Sequence, residues 1–345
     1  MERHKTNRQF NYDLLRIVSM LAVIILHVNS HYFAESSGTM HTIESAINII
    51  TRFSVPCFVM LSGAFILSQP KNIDYFEFYK KSFCNTVLPF LIVLIILTFV
   101  SLAKCVFTHT NPMGVLYSLA IGDFFNLWYM YMLFGLYFFA PIIILIKRKI
   151  SNRIYCMIAF VWLAFAIWFQ SSSDYQISYS FGVVFAYMGY FLVGNVIYEN
   201  FRINRLSWLF FIIAIVFLGL TFFIRYTNGE NMYSVNPYKS FFSPTIVLAS
   251  IFVFLGFTNI SFNHSLGKLP KRSFYIYLFH TIVYQSVFII FSDRVLVNEL
   301  VMILLVSTVT FVVSFFVSIV FEWLLGLANR RLGIEEKIMN IKRCI

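Results

Sequence analysis

Charged residues are scarce in this chain, and their scarcity excludes an ordinary soluble protein. Asp, Glu, Lys and Arg together make up 12% of the 345 residues, whereas 59% are hydrophobic and 42 are phenylalanine. A composition this apolar is typical of proteins whose helices lie in a lipid bilayer. The sequence therefore predicts an integral membrane protein made of helices.

The sequence also lacks closely spaced cysteines, internal repeats and low-complexity linkers. The five cysteines are scattered without short spacings and without partner histidines, so we expect neither a metal centre nor a disulfide framework. No internal repeat, low-complexity linker or segment large enough to fold as a soluble domain lies between the apolar runs. We therefore expect residues 1–345 to form a single transmembrane domain.

Hydrophobic runs long enough to cross the ~30 Å hydrocarbon core of a bilayer recur along the whole chain. The first run follows a basic stretch and has no small-residue cleavage site, so we expect a retained helix rather than a signal peptide. The predicted fold class is all-α, a polytopic bundle of about ten membrane-spanning helices. The expected spans are residues 14–33, 46–67, 83–103, 127–146, 154–170, 180–198, 206–224, 243–259, 273–292 and 299–325.

The Lys and Arg residues between the spans predict the orientation of the bundle. If the N-terminus is cytoplasmic, 20 of the 26 lie in cytoplasmic segments, 4 lie in the opposite segments, and 2 lie inside spans. This asymmetry follows the positive-inside rule and predicts that both termini are cytoplasmic. Anionic membrane lipid accounts for the net charge of +11, so nucleic acid is not expected as a partner.

The first span carries two ionisable residues where hydrocarbon disfavours them. Arg16 and His27 are eleven residues apart, close to a whole number of helical turns, so they share one face about 16 Å apart along the axis. Asp13 lies on the same face and can pair with Arg16. A lone Arg often reaches to the interface, and a lone buried His often satisfies a carbonyl. Their presence on one face instead indicates a polar site inside the bundle.

The second span adds another arginine. Arg52 lies in its outer half, at a depth comparable to that of His27, and an Arg and a His at one depth suit a polar or negatively charged substrate. Pro56 is expected to bend this helix, and the small residues that begin at Ser62 let a neighbouring helix approach closely. His27 and His31 have the spacing of two zinc ligands, but no carboxylate follows His27, so a metal site is not favoured.

Four sequence blocks resemble those of the acyltransferase-3 family, bacterial integral-membrane enzymes that O-acylate cell-surface glycans. The blocks are YDLLRIVSMLAVIILHV, RFSVPCFVMLSGAFIL, NLWYMYMLFGLYFFAPIIIL and SFYIYLFHTIVY, and they occur in the family's order. The chain is most similar to the branch of enterobacterial common antigen, O-antigen and capsule O-acetyltransferases. The resemblance implies a ten-helix enzyme of the bacterial cytoplasmic (inner) membrane that moves acetyl from cytoplasmic acetyl-CoA to a glycan hydroxyl.

The resemblance also implies roles for individual residues. The expected catalytic residues, which match the family's essential Arg and His and its second-helix Arg, are Arg16, His27 and Arg52. The expected substrate-binding residues are Asp13, Ser62, Asn126, Trp128 and His280. The expected acetyl-CoA-binding residues are Arg16, Lys80 and Lys81. Asn126 replaces a His of the family pattern, and relatives usually carry more arginine than this chain has at Lys80 and Lys81.

These residue types suit acyl transfer. A sugar hydroxyl needs a general base, and histidine is the side chain that titrates closest to neutrality. A buried guanidinium stabilises charge on the thioester oxygen or binds a CoA phosphate. No GxSxG nucleophile elbow occurs, so direct transfer or a transient acyl group on His27 is expected rather than a serine esterase mechanism.

The expected partners are acetyl-CoA as donor, a glycan acceptor such as an undecaprenyl-linked one, and membrane lipid. Two other function classes remain open at this point. A proton-coupled transporter would also place His and Arg on one inward face, and inverted-repeat hydropathy would favour it. A non-catalytic partner in glycan export or assembly is the second alternative.

Overall fold

Helices account for almost all of the chain that the structure describes. A computed structural model describes residues 2–33, 38–69, 74–121, 124–172, 181–201, 206–228, 241–260, 266–267, 269–291 and 298–332. No β-strand occurs among these residues. The all-α fold predicted from the composition is therefore confirmed.

The α-helices are numbered in chain order along the described residues. They are α1 (Glu2–Phe33), α2 (Gly38–Thr51), α3 (Ser54–Ile66), α4 (Tyr75–Ser82), α5 (Leu88–Phe107), α6 (Met113–Ile121), α7 (Trp128–Lys149), α8 (Asn152–Ser172), α9 (Phe181–Asn200), α10 (Ser207–Thr227), α11 (Pro244–Thr258), α12 (Leu269–Phe291) and α13 (Glu299–Leu332). A π-helical turn, Phe83–Val87, joins α4 to α5, and a 3₁₀ turn, Phe124–Asn126, precedes α7.

Nine helical segments of the described chain are long and apolar enough to cross a membrane. They are Phe10–Ser30, Gly38–Ile66, Tyr75–Phe107, Trp128–Lys149, Asn152–Gln170, Gly182–Asn200, Ser207–Thr227, Arg272–Ile290 and Glu299–Leu327. Each overlaps one of the predicted spans. The remaining predicted span, 243–259, contains α11, whose 15 residues make a helix roughly 22 Å long. The chain is thus a multi-pass membrane protein.

A break divides the second segment between α2 and α3. Arg52 and Phe53 form a turn at the break, and the backbone N–H of Arg52 donates a hydrogen bond to the Ile49 carbonyl oxygen at 3.1 Å. Pro56 lies in the first turn of α3, where a missing N–H removes no intrahelical hydrogen bond. The interruption between the two helices therefore falls at Arg52 and Phe53, just before Pro56, and Arg52 does not lie within a continuous helix.

Helix α1 lies at the centre of the bundle, where it contacts α2, α3, α11, α12 and α13. Most of its buried apolar side chains belong to the main hydrophobic core. A residue on the inward side of α1 can therefore meet residues from several helices that are distant along the chain.

Two glycines bring α3 and α9 into backbone contact. A Cβ added at Gly63 would lie 1.8 Å from the Phe191 carbonyl oxygen, and one added at Gly194 would lie 2.2 Å from the Met60 carbonyl oxygen. The close approach expected after Ser62 is thus present, and it requires glycine at both positions.

A polar network joins the ends of α3, α7 and α9. The Lys147 ammonium lies 2.6 Å from Glu199 Oε1, 2.8 Å from Asn195 Oδ1 and 3.2 Å from the Leu67 carbonyl oxygen. Asn195 also accepts a hydrogen bond from the Tyr155 hydroxyl at 3.0 Å. Because every group in this network has a partner, it holds the helix ends in one arrangement.

Candidate functional site

The Arg16 cluster lies near the start of the apolar part of α1. Arg16 Nη1 is 3.1 Å from Asp13 Oδ1, so the predicted ion pair is present, and the two side chains are 27% and 31% exposed. The guanidinium also lies 5.7 Å from the centre of the Phe65 ring. Since a guanidinium has five N–H donors, the pair with Asp13 leaves donors that can bind an anion.

Two tyrosines of α7 join this cluster through Ser62. The Ser62 hydroxyl donates to the Phe58 carbonyl at 3.0 Å, so its oxygen is available to accept from Tyr129 and Tyr137, with which it interacts. Both tyrosines are within electrostatic range of Arg16. The sequence interpretation included Ser62 but missed the tyrosines. Their separation of eight residues, which places them on one side of α7, was the available signal.

A histidine pair lies further along α1. The ring centres of His27 and His280 are 5.3 Å apart, and His27 is parallel to the Tyr284 ring at 6.3 Å. His280 Nδ1 is 2.6 Å from the Tyr277 carbonyl oxygen. The structure therefore brings together two predicted site residues that come from opposite ends of the sequence, one on α1 and one on α12.

Arg52 forms a third cluster with aromatic side chains. Its side chain is 5% exposed, its Nε donates to Asn48 Oδ1 at 2.8 Å, and its guanidinium lies 5.1 Å from the centre of the Phe241 ring. Trp128 packs against the same Phe241 ring at 6.4 Å and against Tyr187 at 5.9 Å. Arg52 and Trp128, both predicted site residues, thus meet through Phe241, which the sequence interpretation did not include.

Tyr129 connects these three clusters. Its ring centre lies 5.3 Å from Tyr277, whose carbonyl binds His280, and 6.4 Å from Trp128 of the Arg52 cluster. Its interaction with Ser62 reaches the Arg16 cluster. The three clusters are therefore linked by side-chain contacts that meet at Tyr129.

The two predicted CoA-binding lysines differ in their surroundings. Lys80 is buried, its ammonium lies 5.9 Å from the Phe76 ring, and it lines a cavity of about 480 Å³ between α4 and α7. Tyr137 lines the same cavity, so the cavity adjoins the Arg16 cluster. Lys81 is exposed and does not line the cavity.

Asn126 ends the 3₁₀ turn before Trp128, and its side chain lies outside the described part of the structure. The preceding residue, Phe125, has a φ of 50°, a left-handed conformation that is strained for a residue with a Cβ. The turn that leads into the Trp128 block is therefore held in place by its surroundings rather than by local preference.

The comparisons with known proteins support one family. The acyltransferase-3 sequence model, described as an acyltransferase domain, matches residues 10–325, a range that includes all three clusters and the Lys80 cavity. A search of curated proteins returned no match, and neither did a search of solved structures.

Proposed function

The chain belongs to the acyltransferase-3 family and is a membrane acyltransferase, and on that premise we propose that it O-acetylates a glycan. The donor is cytoplasmic acetyl-CoA. The acceptor is a hydroxyl of a cell-surface or lipid-linked glycan, such as an O-antigen, capsule or common-antigen sugar. The enzyme works in the bacterial cytoplasmic membrane. The observation that carries the proposal is that Tyr129 contacts all three clusters, which links the Arg16 cluster, the histidine pair and Arg52.

The Arg16 cluster suits the donor. The CoA phosphates carry too much charge to enter hydrocarbon, so they must stay at the cytoplasmic mouth. Arg16 lies at that mouth if both termini are cytoplasmic, as the positive-inside rule predicts. Lys80 adds a second cation beside a cavity whose aromatic walls include Tyr137. The pantetheine arm would extend along the inward face of α1, which is about 16 Å long between Arg16 and His27.

The histidine pair suits proton transfer. His27 accepts the proton of the glycan hydroxyl while the hydroxyl oxygen attacks the thioester carbonyl carbon. The carbon–sulfur bond then breaks, and the proton passes from His27 to the CoA thiolate. The products are the O-acetylated glycan and free CoA. A guanidinium or a tyrosine hydroxyl near the carbonyl would stabilise its developing charge.

The Arg52 cluster suits the acceptor. Arg52 is buried yet polar, and it lies beside the aromatic side chains Phe241, Trp128 and Tyr187. Aromatic rings pack against the apolar faces of sugars, and guanidinium donors bind sugar hydroxyls or the phosphates of a lipid-linked glycan. A site of this kind binds a polar acceptor inside the membrane protein without exposing it to lipid.

An assay for free CoA tests the proposal. The full chain in nanodiscs is incubated with labelled acetyl-CoA and an undecaprenyl-linked glycan, and both CoA release and label on the glycan are measured. We expect His27→Ala to lower turnover at least ~100-fold. His109→Ala, which changes an exposed histidine that belongs to none of the three clusters, should have the turnover of the wild type. A transporter or a non-catalytic assembly partner would release no CoA in this assay.

Equal activity of the two variants at equal protein abundance would contradict the role of His27. No acetyl transfer by wild-type protein to a panel of O-antigen, capsule and common-antigen intermediates would contradict the proposed function as a whole.

A further inference from the structure

The tautomer of His280 follows from its surroundings. Nδ1 lies 2.6 Å from the Tyr277 carbonyl oxygen, and a carbonyl oxygen can only accept a hydrogen bond. Nδ1 therefore carries a proton. In a neutral imidazole the other nitrogen, Nε2, then carries the lone pair and can only accept.

His280 Nε2 is a buried acceptor without a partner. The side chain is 0% exposed, and Nε2 forms no hydrogen bond with any residue in the described part of the chain. Buried polar atoms are almost always paired, because an unpaired one loses its hydration without compensation. Other buried polar atoms of the described chain, such as Ser54 Oγ and Tyr187 Oη, also lack a partner. His280 differs because the Tyr277 carbonyl fixes its Nδ1–H and a second imidazole ring lies 5.3 Å away, so Nε2 is an acceptor with a specific donor nearby.

His27 is the neighbour that can supply this partner. Its ring centre is 5.3 Å from that of His280, and the Tyr284 ring lies parallel to it with its centre 6.3 Å away. His27 is half-buried whereas His280 is fully buried, so of the two rings His27 is the better placed to contact a substrate and His280 would act through His27.

We propose that His280 is a positioning residue for His27. Its Nε2 accepts the ring N–H of His27 in the substrate complex, so that the other nitrogen of His27 presents its lone pair to the acceptor hydroxyl. This inference rests on the proposed function and adds to it the orientation and tautomer of the base. Tyr277 takes part through its backbone carbonyl, which holds the His280 proton on Nδ1.

The proton movements balance in this arrangement. The hydroxyl proton moves to the free nitrogen of His27 as the new oxygen–carbon bond forms. The resulting imidazolium keeps its N–H directed at His280 Nε2, which stabilises the charge. When the carbon–sulfur bond breaks, His27 gives the proton to the CoA sulfur and returns to its neutral form. His280 keeps the same proton on Nδ1 throughout.

Two substitutions of His280 separate its two hydrogen bonds. In His280→Asn the amide nitrogen can still donate to the Tyr277 carbonyl, but no acceptor remains at the Nε2 position. In His280→Gln the longer side chain can place its oxygen near that position. We expect His280→Asn to lower kcat about tenfold or more, by analogy with the loss of groups that orient metal-bound histidines. The KM for acetyl-CoA should stay within about twofold, and His280→Gln should regain most of the kcat.

Equal losses in the two variants, or a loss confined to KM, would show that His280 only fills space. A double-mutant cycle provides a second test. If His280 acts through His27, His280→Asn should cause no further loss in a His27→Ala background. A full additional loss in that background would overturn the proposal, because His280 would then act independently.

A spectroscopic measurement tests the pair without relying on activity. The full chain with ¹⁵N-labelled histidine is placed in nanodiscs, and the His27 and His280 signals are assigned from single substitutions. We expect His280 to be the Nδ1–H tautomer and His280→Asn to change the ring-nitrogen shifts of His27. A His280 protonated on Nε2, or a His27 spectrum unaffected by His280→Asn, would overturn the inference. Wild-type protein that releases no CoA would instead refute the proposed function and leave this result valid.

Discussion

Replacing Gly63 with alanine should open the contact between α3 and α9. The new Cβ would lie 1.8 Å from the Phe191 carbonyl oxygen, which is about 1.6 Å less than the 3.4 Å at which ordinary contact begins. The obstacle is backbone, so no side-chain rotation can relieve it. The reciprocal contact of Gly194 with Met60 lies in the same interface, so the helices cannot simply slide. They must separate by an amount of the order of 1 Å.

This separation has two expected costs. Forced overpacking usually destabilises by about 1–3 kcal/mol, which exceeds the 0.5–1 kcal/mol that alanine gains over glycine in a helix, each figure being approximate. The displacement also reaches the site, because Ser62 precedes Gly63 and Tyr187 lies on the partner helix α9. A misplacement of about 1 Å can lower turnover ~100-fold.

Gly219→Ala provides a matched control for this prediction. A Cβ added at Gly219, in the middle of α10, would have no heavy atom within 4 Å. Thermal unfolding of wild type and both variants in nanodiscs, followed by tryptophan fluorescence, should give a lower Tm for Gly63→Ala and an unchanged or higher Tm for Gly219→Ala. CoA release should fall only in Gly63→Ala. Equal Tm and equal activity of the two variants would refute the reasoning.

Three further predictions concern the donor site, the acceptor site and the topology. Arg16→Lys should chiefly raise the KM for acetyl-CoA and Arg52→Lys should chiefly lower kcat, because lysine keeps the charge but loses the planar set of N–H donors. Steady-state kinetics test this, and the reverse pattern would contradict the placement of donor and acceptor. Lys80→Ala should raise the KM for acetyl-CoA about tenfold, as for a lost charge-assisted hydrogen bond. Lys81→Ala, which changes an exposed side chain, should alter this KM little. Equal effects of the two substitutions would contradict the assignment of the cavity to the donor site. Reporters fused after residue 149 or 272 should be cytoplasmic and one near residue 231 should lie outside, and a cytoplasmic reporter at 231 would contradict the ten-span topology.

Much of the fold and one part of the site follow directly from the sequence. The length and apolar character of the runs predict membrane helices because the bilayer requires about 20 apolar residues per span and a helix satisfies its own backbone. The pair of Asp13 and Arg16 is equally local, since residues three apart on a helix are neighbours whatever surrounds them. The interval between Arg16 and His27 predicts their shared face for the same reason.

The sequence also contained the residues of the other clusters without indicating how they meet. His280 was expected in the site only through the family resemblance, and nothing in the order of residues placed it beside His27. Tyr129, Tyr137 and Phe241 are not distinctive in a chain with 20 tyrosines and 42 phenylalanines. The sequence predicted a bend at Pro56, whereas the helix is interrupted at Arg52.

Tertiary packing decided these features because they depend on contacts between helices that are far apart in sequence. His27 and His280 meet because α1 lies at the centre of the bundle and α12 packs against it. Arg52 and Trp128 meet only because Phe241, which precedes α11, lies between them. Helical periodicity specifies which side chains share a face of one helix, whereas the rotation and separation of packed helices determine which faces meet.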